Sequence, residues 1–157
     1  MPLLELKGYG VGHGGTGVTG IDLVVEPATM LAFVGRGDGA ISLLALAVAG
    51  LLPTGATTEG SLNFTGKGLL YLDPNSDASA LRPDAELIVA DDPGRRREPA
   101  TQFELLRALQ AASRTAAVLI FTSDFRLALS MELEVAVIAK GKLLLRAPAS
   151  QIAELPQ

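Results

Sequence analysis

A run of small and polar residues follows the wholly apolar segment Met30–Val34: Gly35-Arg36-Gly37-Asp38-Gly39-Ala40-Ile41-Ser42. A strand, a glycine-rich turn and a helix start form the arrangement in which backbone N–H groups cradle phosphate. The pattern for such a loop is G-x-x-x-x-G-K-[ST]. Spacing from Gly35 to Ser42 meets it, but Ala40 stands where glycine is required and Ile41 where lysine is required. Taken alone, this match is weak. Asp91-Asp92 closes another apolar run, Leu87–Ala90. Adjacent strand residues point to opposite faces, so this carboxylate pair cannot straddle a substrate as acid and base. Ser123-Asp124 and Ser130 have no nearby histidine to activate a hydroxyl.

The elements that must position these residues alternate between β-rich and helical runs. Strands are expected at Leu3–Leu6 and Ile21–Glu26, separated by a glycine-rich loop over Gly8–Gly20, and again at Met30–Val34. Ala40–Leu51, rich in Ala and Leu, predicts a helix stopped by Gly50 and Pro53. Ser61–Thr65, Leu69–Leu72, Glu86–Ala90 and Ala117–Thr122 read as strands, with a polar, turn-rich segment from Asp73 to Pro83. Thr101–Ser113 predicts a helix that packs through Leu105, Leu106 and Leu109, and Asp124–Met131 a short one. Val135–Ala139 and Lys142–Arg146 form a hairpin-like pair, and Ala149–Leu155 a last helix. Apolar strands flanked by helices predict an α/β fold with a largely parallel sheet covered on both faces. Ligands of such sheets sit at the carboxyl ends of the strands. Here those ends are Gly35–Ser42, Leu72-Asp73, Asp91-Asp92 and Thr122-Ser123. The loop Gly94–Pro99 reads as a solvated charged turn or a partner contact.

Composition narrows the function. The chain has 157 residues, enough for one domain, with 48% hydrophobic and 19% charged residues, which excludes intrinsic disorder. A net charge of −4 and 4% aromatics leave no basic field for nucleic acid or an anionic membrane and no base-stacking platform. With no cysteine, thiolate catalysis and cysteine-based metal centres are excluded, and one histidine cannot build a His-rich cage. Met1-Pro2-Leu3-Leu4-Glu5 lacks the basic-then-apolar opening of a secretory signal. The uncharged stretch Gly39–Thr58 is interrupted by Ser42, Gly50 and Pro53, so it reads as a buried helix and not a membrane span. The expectation is a cytoplasmic single domain.

Several segments together resemble an ATP-binding protein of ABC transporters, of the di/oligopeptide-importer type. They are Leu3–Lys7, Ile21–Leu23 with Glu26-Pro27, Leu31–Gly35 and Leu44–Pro53. Leu87–Pro93 resembles the family's Walker B segment, Val118–Asp124 the strand carrying its switch histidine, and Val135–Lys142 with Ala147–Ala149 its closing hairpin and helix. The resemblance spans nearly the whole chain. It implies a P-loop NTPase-like (RecA-like) ABC ATPase core, with a mainly parallel sheet flanked by helices and an N-terminal antiparallel β part.

By the same resemblance, each working position is altered. The nucleotide-binding positions would be His13, Gly35, Gly37, Asp38, Gly39, Ala40, Ile41, Ser42, Leu72 and Asp91. Ile41 replaces the phosphate-binding lysine. Asp38 replaces a glycine and puts a carboxylate where an anion should lie. Two unit charges ~4 Å apart near a surface repel by roughly 4 kcal/mol. Alternatively, Asp38 caps the helix as a built-in anion. In Leu70-Tyr71-Leu72-Asp73-Pro74, which aligns with the family's Q-loop, Leu72 replaces the glutamine. Asp92 occupies the catalytic glutamate position and Ser123 the switch histidine position. His13 falls where the family has an adenine-stacking aromatic, or is simply a solvated loop histidine; Tyr9 reads as packing. Ser42 and Asp91 could still hold Mg²⁺, as their counterparts do in P-loop enzymes; otherwise Asp91 is a strand-end carboxylate bonded to neighbouring backbone. The family's helical subdomain has no room near residues 77–80, and the Leu-Ser-Gly-Gly-Gln signature is absent.

Phosphoryl transfer rests on positioning and charge stabilisation, so these changes predict no ATP hydrolysis and no expected catalytic residue. The leading expectation is a non-hydrolytic, pseudo-ATPase interaction or regulatory module, peripheral to a membrane transporter and needing no cofactor. Its protein partner would be a second copy or an intact ABC ATPase; no nucleic acid or direct membrane insertion is expected. The alternative is an ATP-binding component or nucleotide sensor that binds Mg-ATP weakly without efficient hydrolysis.

Overall fold

The apolar runs that bear no charge become the centre of a sheet. The computed structural model describes residues 2–36, 39–93 and 98–154. Strands β1 (Leu4–His13) and β2 (Thr16–Val25) are followed by β3 (Met30–Val34) and helix α1 (Ala40–Ala49). Next come β4 (Thr57–Phe64), β5 (Leu69–Leu72) and β6 (Leu87–Asp91), then α2 (Pro99–Ala112) and β7 (Ala117–Thr122). The chain continues through α3 (Phe125–Ser130), β8 (Glu134–Ala139), β9 (Lys142–Pro148) and α4 (Ala149–Ala153). Among the described residues the strands form two sheets, of order β2-β1-β4 and β5-β6-β7-β3-β8-β9. The first is antiparallel. In the second, the pairs from β5 to β8 are parallel and only β9 runs antiparallel, at the edge. Every residue of β6 and β7 is buried, as a parallel sheet covered on both faces requires.

Alternation along these strands splits the core in two. Leu31, Phe33, Leu87, Val89, Leu119 and Phe121 face α1 and the antiparallel sheet, with the Phe33 and Phe121 rings stacked 4.5 Å apart. Ala32, Val34, Ile88, Ala90, Val118 and Ile120 face the opposite way, onto Leu105 and Leu109 of α2 and Leu127 of α3. Helix α1 lies between the two sheets and buries residues all round it, including Ile41, Leu44, Ala45 and Val48. That is why its sequence lacks a polar stripe.

The segment Gly8–Gly20 departs from the expectation of a loop. It is most of a long hairpin: β1 runs on to His13 and β2 begins at Thr16. Gly14 and Gly15 both have positive φ, 60° and 81°, which a two-residue hairpin turn with the right-handed strand twist needs. Register shifts between Leu6 and Val11 bend the strand without ending it. Strand β4 likewise begins at Thr57, earlier than expected, because it pairs with this extended β1.

Between β5 and β6, where the resemblance places a helical subdomain, a short connection closes directly. Asp73 accepts from Asn75 N–H at 2.8 Å, and Asp77 caps a 3-10 turn at Ala78–Ala80 by accepting from Ser79 N–H at 2.9 Å. Ala80 and Leu81 then pack against the α2-side core. The apolar surface next to this connection is therefore covered from within the chain.

Candidate nucleotide-binding region

The carboxyl ends of β3, β6 and β7 converge beside the N-terminus of α1. A cleft of about 300 Å³ opens there, walled by Arg36, Gly39, Ile41, Ser42, Asp92, Phe121, Thr122 and Ser123. Gly37 and Asp38 lie outside the described residues, so the two readings of Asp38 stand as they were.

Ile41 turns inward. It is 6% exposed and belongs to the α1-side core. A β-carbon at Gly35 would fall 2.8 Å from Ile41 Cδ1 and 2.9 Å from the Ile138 carbonyl oxygen. The fixed Ile138 carbonyl is what demands a glycine here, and Ile41 packs into the space that the missing side chain leaves. Only about 20 Å³ remains between Gly35, Ile41 and the β8–β9 turn, room for about one water. Ala40 is buried as well. Gly39 starts the helix with φ 94° and supplies no side-chain cap.

Ser42 and Asp91 do meet. Ser42 Oγ donates to Asp91 Oδ1 at 2.9 Å, across from α1 to the end of β6. The other carboxylate oxygen, Oδ2, accepts from the Tyr71 hydroxyl at 2.8 Å. Asp91 is 4% exposed and is not part of the cleft wall. The strand-end carboxylate thus accepts from side-chain hydroxyls of two other elements. Burial raises the Tyr71 phenol well above its usual range, and the Asp91 hydrogen bond, the Asp91 charge and the Asp73 charge add to the effect.

Tyr71 is a site residue that motif spacing does not reach, though strand alternation signals it. In the parallel β5–β6 pair Tyr71 sits opposite Val89. Asp91, two residues on, projects from the same face as Val89, within reach of a long side chain. The same alternation corrects the expectation for Leu72. It points to the opposite face, is 2% exposed and packs in the α2-side core, so it does not line the cleft.

The remaining positions are more open. Asp92 lies just past β6 at φ 52°, donates its N–H to the Phe121 carbonyl at 2.7 Å and lines the cleft. Ser123 is exposed on the cleft wall. Next to it, Thr122 Oγ1 accepts from Asp124 N–H at 3.0 Å, and Asp124 caps α3 by accepting from Arg126 N–H at 3.0 Å. His13 is exposed near the tip of the β1–β2 hairpin, in a separate groove of about 760 Å³ lined mainly by glycine and threonine. That hairpin reaches the start of α1: a β-carbon at Gly39 would lie 3.7 Å from Thr16 Cγ2. Tyr9 is buried in the core, as its packing role requires.

As a donor set for Mg²⁺ with a triphosphate, these residues fit poorly. Mg²⁺ holds carboxylate and phosphate oxygens in near-octahedral geometry and keeps several waters. Here the carboxylate is sealed beneath the cleft on Ser42 and Tyr71, and the side chain at the lysine position is committed to the core.

An α/β core with a mainly parallel sheet, a glycine-rich turn into a buried helix, and a serine meeting a strand-end aspartate define an ABC ATPase-like fold. No family model matches the chain. Over 97 residues it is 39% identical to the oligopeptide transport ATP-binding protein OppD of Mycobacterium tuberculosis, and to the same degree to OppD of Mycobacterium bovis. The match covers 59% of this chain but only 16% of those relatives, so the chain spans a small part of their length. A solved structure of cbiO1 from Clostridium perfringens, described as part of the ABC transporter complex cbiONQ, superposes with a TM-score of 0.73. That superposition covers 98% of this chain and 91% of that one, at 14% identity, and speaks for the fold. The fold is that of an ABC ATPase, and the 97-residue match is one of homology with ATP-binding proteins of ABC transporters over that part of the chain. Among the described residues, no helix is long and apolar enough to cross a membrane.

Proposed function

We propose that this domain is a non-hydrolytic member of the ABC ATPase group that acts through a protein partner. The observation that carries the reading is Ile41. At the position from which a lysine would reach the phosphates, an apolar side chain folds back over Gly35 into the core. Phosphoryl transfer depends on electrostatic stabilisation, and this position no longer contributes a charge to it. Asp92 and Ser123 at the glutamate and histidine positions, and the absence of a Leu-Ser-Gly-Gly-Gln motif, support the same conclusion. Because the relatives are transport ATP-binding proteins, the partner is a second copy or an intact ATPase of a transport system. The domain would sit at the cytoplasmic face of the membrane with no required cofactor.

Isothermal calorimetry with Mg-ATP, and Mg-ADP as control, tests this. No heat is expected at millimolar nucleotide. Binding tighter than about 100 μM, near −5.5 kcal/mol, would overturn the proposal and make the domain a nucleotide sensor.

A further inference from the structure

The Tyr71–Asp91 contact concerns more than an absent lysine. A carboxylate at 4% exposure is costly unless its charge is met by donors or by a cation. At the end of β6, Oδ1 accepts from Ser42 on one side and Oδ2 from Tyr71 on the other, at 2.9 and 2.8 Å. These two donors are neutral hydroxyls held by regular elements, Ser42 in the first turn of α1 and Tyr71 within β5. Tyr71 comes from the chain's own sheet, and its ring is half-buried on the α1 side.

We propose that Tyr71 is an internal stand-in for the divalent cation. Its hydroxyl takes the Asp91 oxygen that a hydrated metal would otherwise use, and so holds α1, β5 and β6 together in one metal-independent arrangement. This deepens the non-hydrolytic reading, because it names the group that closes the metal position. It also makes a distinct statement: removing one hydroxyl, with nothing else changed, opens that position to a divalent ion.

The test uses Mn²⁺ alone, without nucleotide, on the full chain. In wild type, millimolar Mn²⁺ should leave the melting temperature unchanged and show no bound ion by electron paramagnetic resonance. Tyr71→Phe should melt about 3–6 °C lower and regain part of that loss with Mn²⁺. Its Mn²⁺ affinity should exceed that of wild type by about tenfold, because a hydrogen bond to a charged oxygen no longer competes with the ion. Adding Asp91→Asn to Tyr71→Phe should abolish the response. Equal Mn²⁺ binding by wild type and Tyr71→Phe would overturn the inference, and so would a folded Tyr71→Phe that ignores Mn²⁺.

Should Tyr71→Phe fail to fold, Tyr9→Phe leaves Tyr71 as the only strong fluorophore, since the chain has two tyrosines and no tryptophan. Paramagnetic Mn²⁺ should not quench its emission; quenching that saturates would overturn the inference. Nucleotide binding by wild type in calorimetry, with no Mn²⁺ response by wild type but one by Tyr71→Phe, would sink the proposed function and leave this inference standing. A saturable Mn²⁺ response by wild type without nucleotide binding would do the reverse.

Discussion

Two neighbouring strands, β6 and β7, run parallel to the same edge of the sheet and end differently. The end of β6 closes on itself: Asp91 is nearly inaccessible and bonded to Ser42 and Tyr71. The end of β7 opens outward: Thr122 is buried, but Ser123 and Asp124 are exposed, and Asp124 spends its carboxylate on capping α3. Similar polar residues therefore do different work at equivalent positions. Depth decides which. A carboxylate that sinks beneath α1 is met by hydroxyls from distant elements, whereas the one at the surface is met by the backbone two residues on.

Replacement of Asp91 by Ala should show the contrast at its largest. Two charge-assisted hydrogen bonds are lost and two hydroxyls are left partly buried without their acceptor, for about 3 kcal/mol of stability in urea unfolding. A loss under about 1 kcal/mol would mean that the closed end of β6 is no more structural than the open end of β7.

High pH probes the same end more gently. Burial first, and then the hydrogen bond and charge of Asp91 with the charge of Asp73, raise the Tyr71 phenol above its ordinary value near 10. The folded chain therefore keeps a proton that the unfolded chain releases. The stability linked to Tyr71 is complete below about pH 10 and falls as pH climbs beyond it. Tyr71→Phe should flatten this alkaline decline in urea midpoints. Tyr9, raised by burial, leaves a residual slope of the same sign. An unchanged slope in Tyr71→Phe would show that the Tyr71 phenol is not held by Asp91.

The smallest effect belongs to the open end. Ser123→Ala removes an exposed hydroxyl and should shift stability by less than about 0.5 kcal/mol in the same assay. A larger loss would mean that Ser123 has a structural partner and that the two strand ends are less different than their exposure indicates.

Legibility followed the same division. Met30–Val34 and Ala117–Thr122 are legible to the residue, because a strand buried on both faces tolerates mostly apolar side chains and stops where polarity or glycine returns. The Gly8–Gly20 hairpin looks like a loop in sequence, since glycine carries no side chain with which to mark a strand face. Ile41 could be seen to lack charge, but its inward fold over Gly35 could not.

By itself, the sequence determined most of the order of the elements, the mainly parallel sheet and the resemblance to ABC ATPases. Those follow from local hydrophobic pattern and motif spacing, which are properties of neighbours along the chain. The tertiary structure alone decided that Leu72 is a core residue, that Ser42 and Asp91 bond to each other, and that Tyr71 completes their cluster. Residues separated by 20 and 49 positions meet there only because β5 pairs in register with β6 and α1 packs across both.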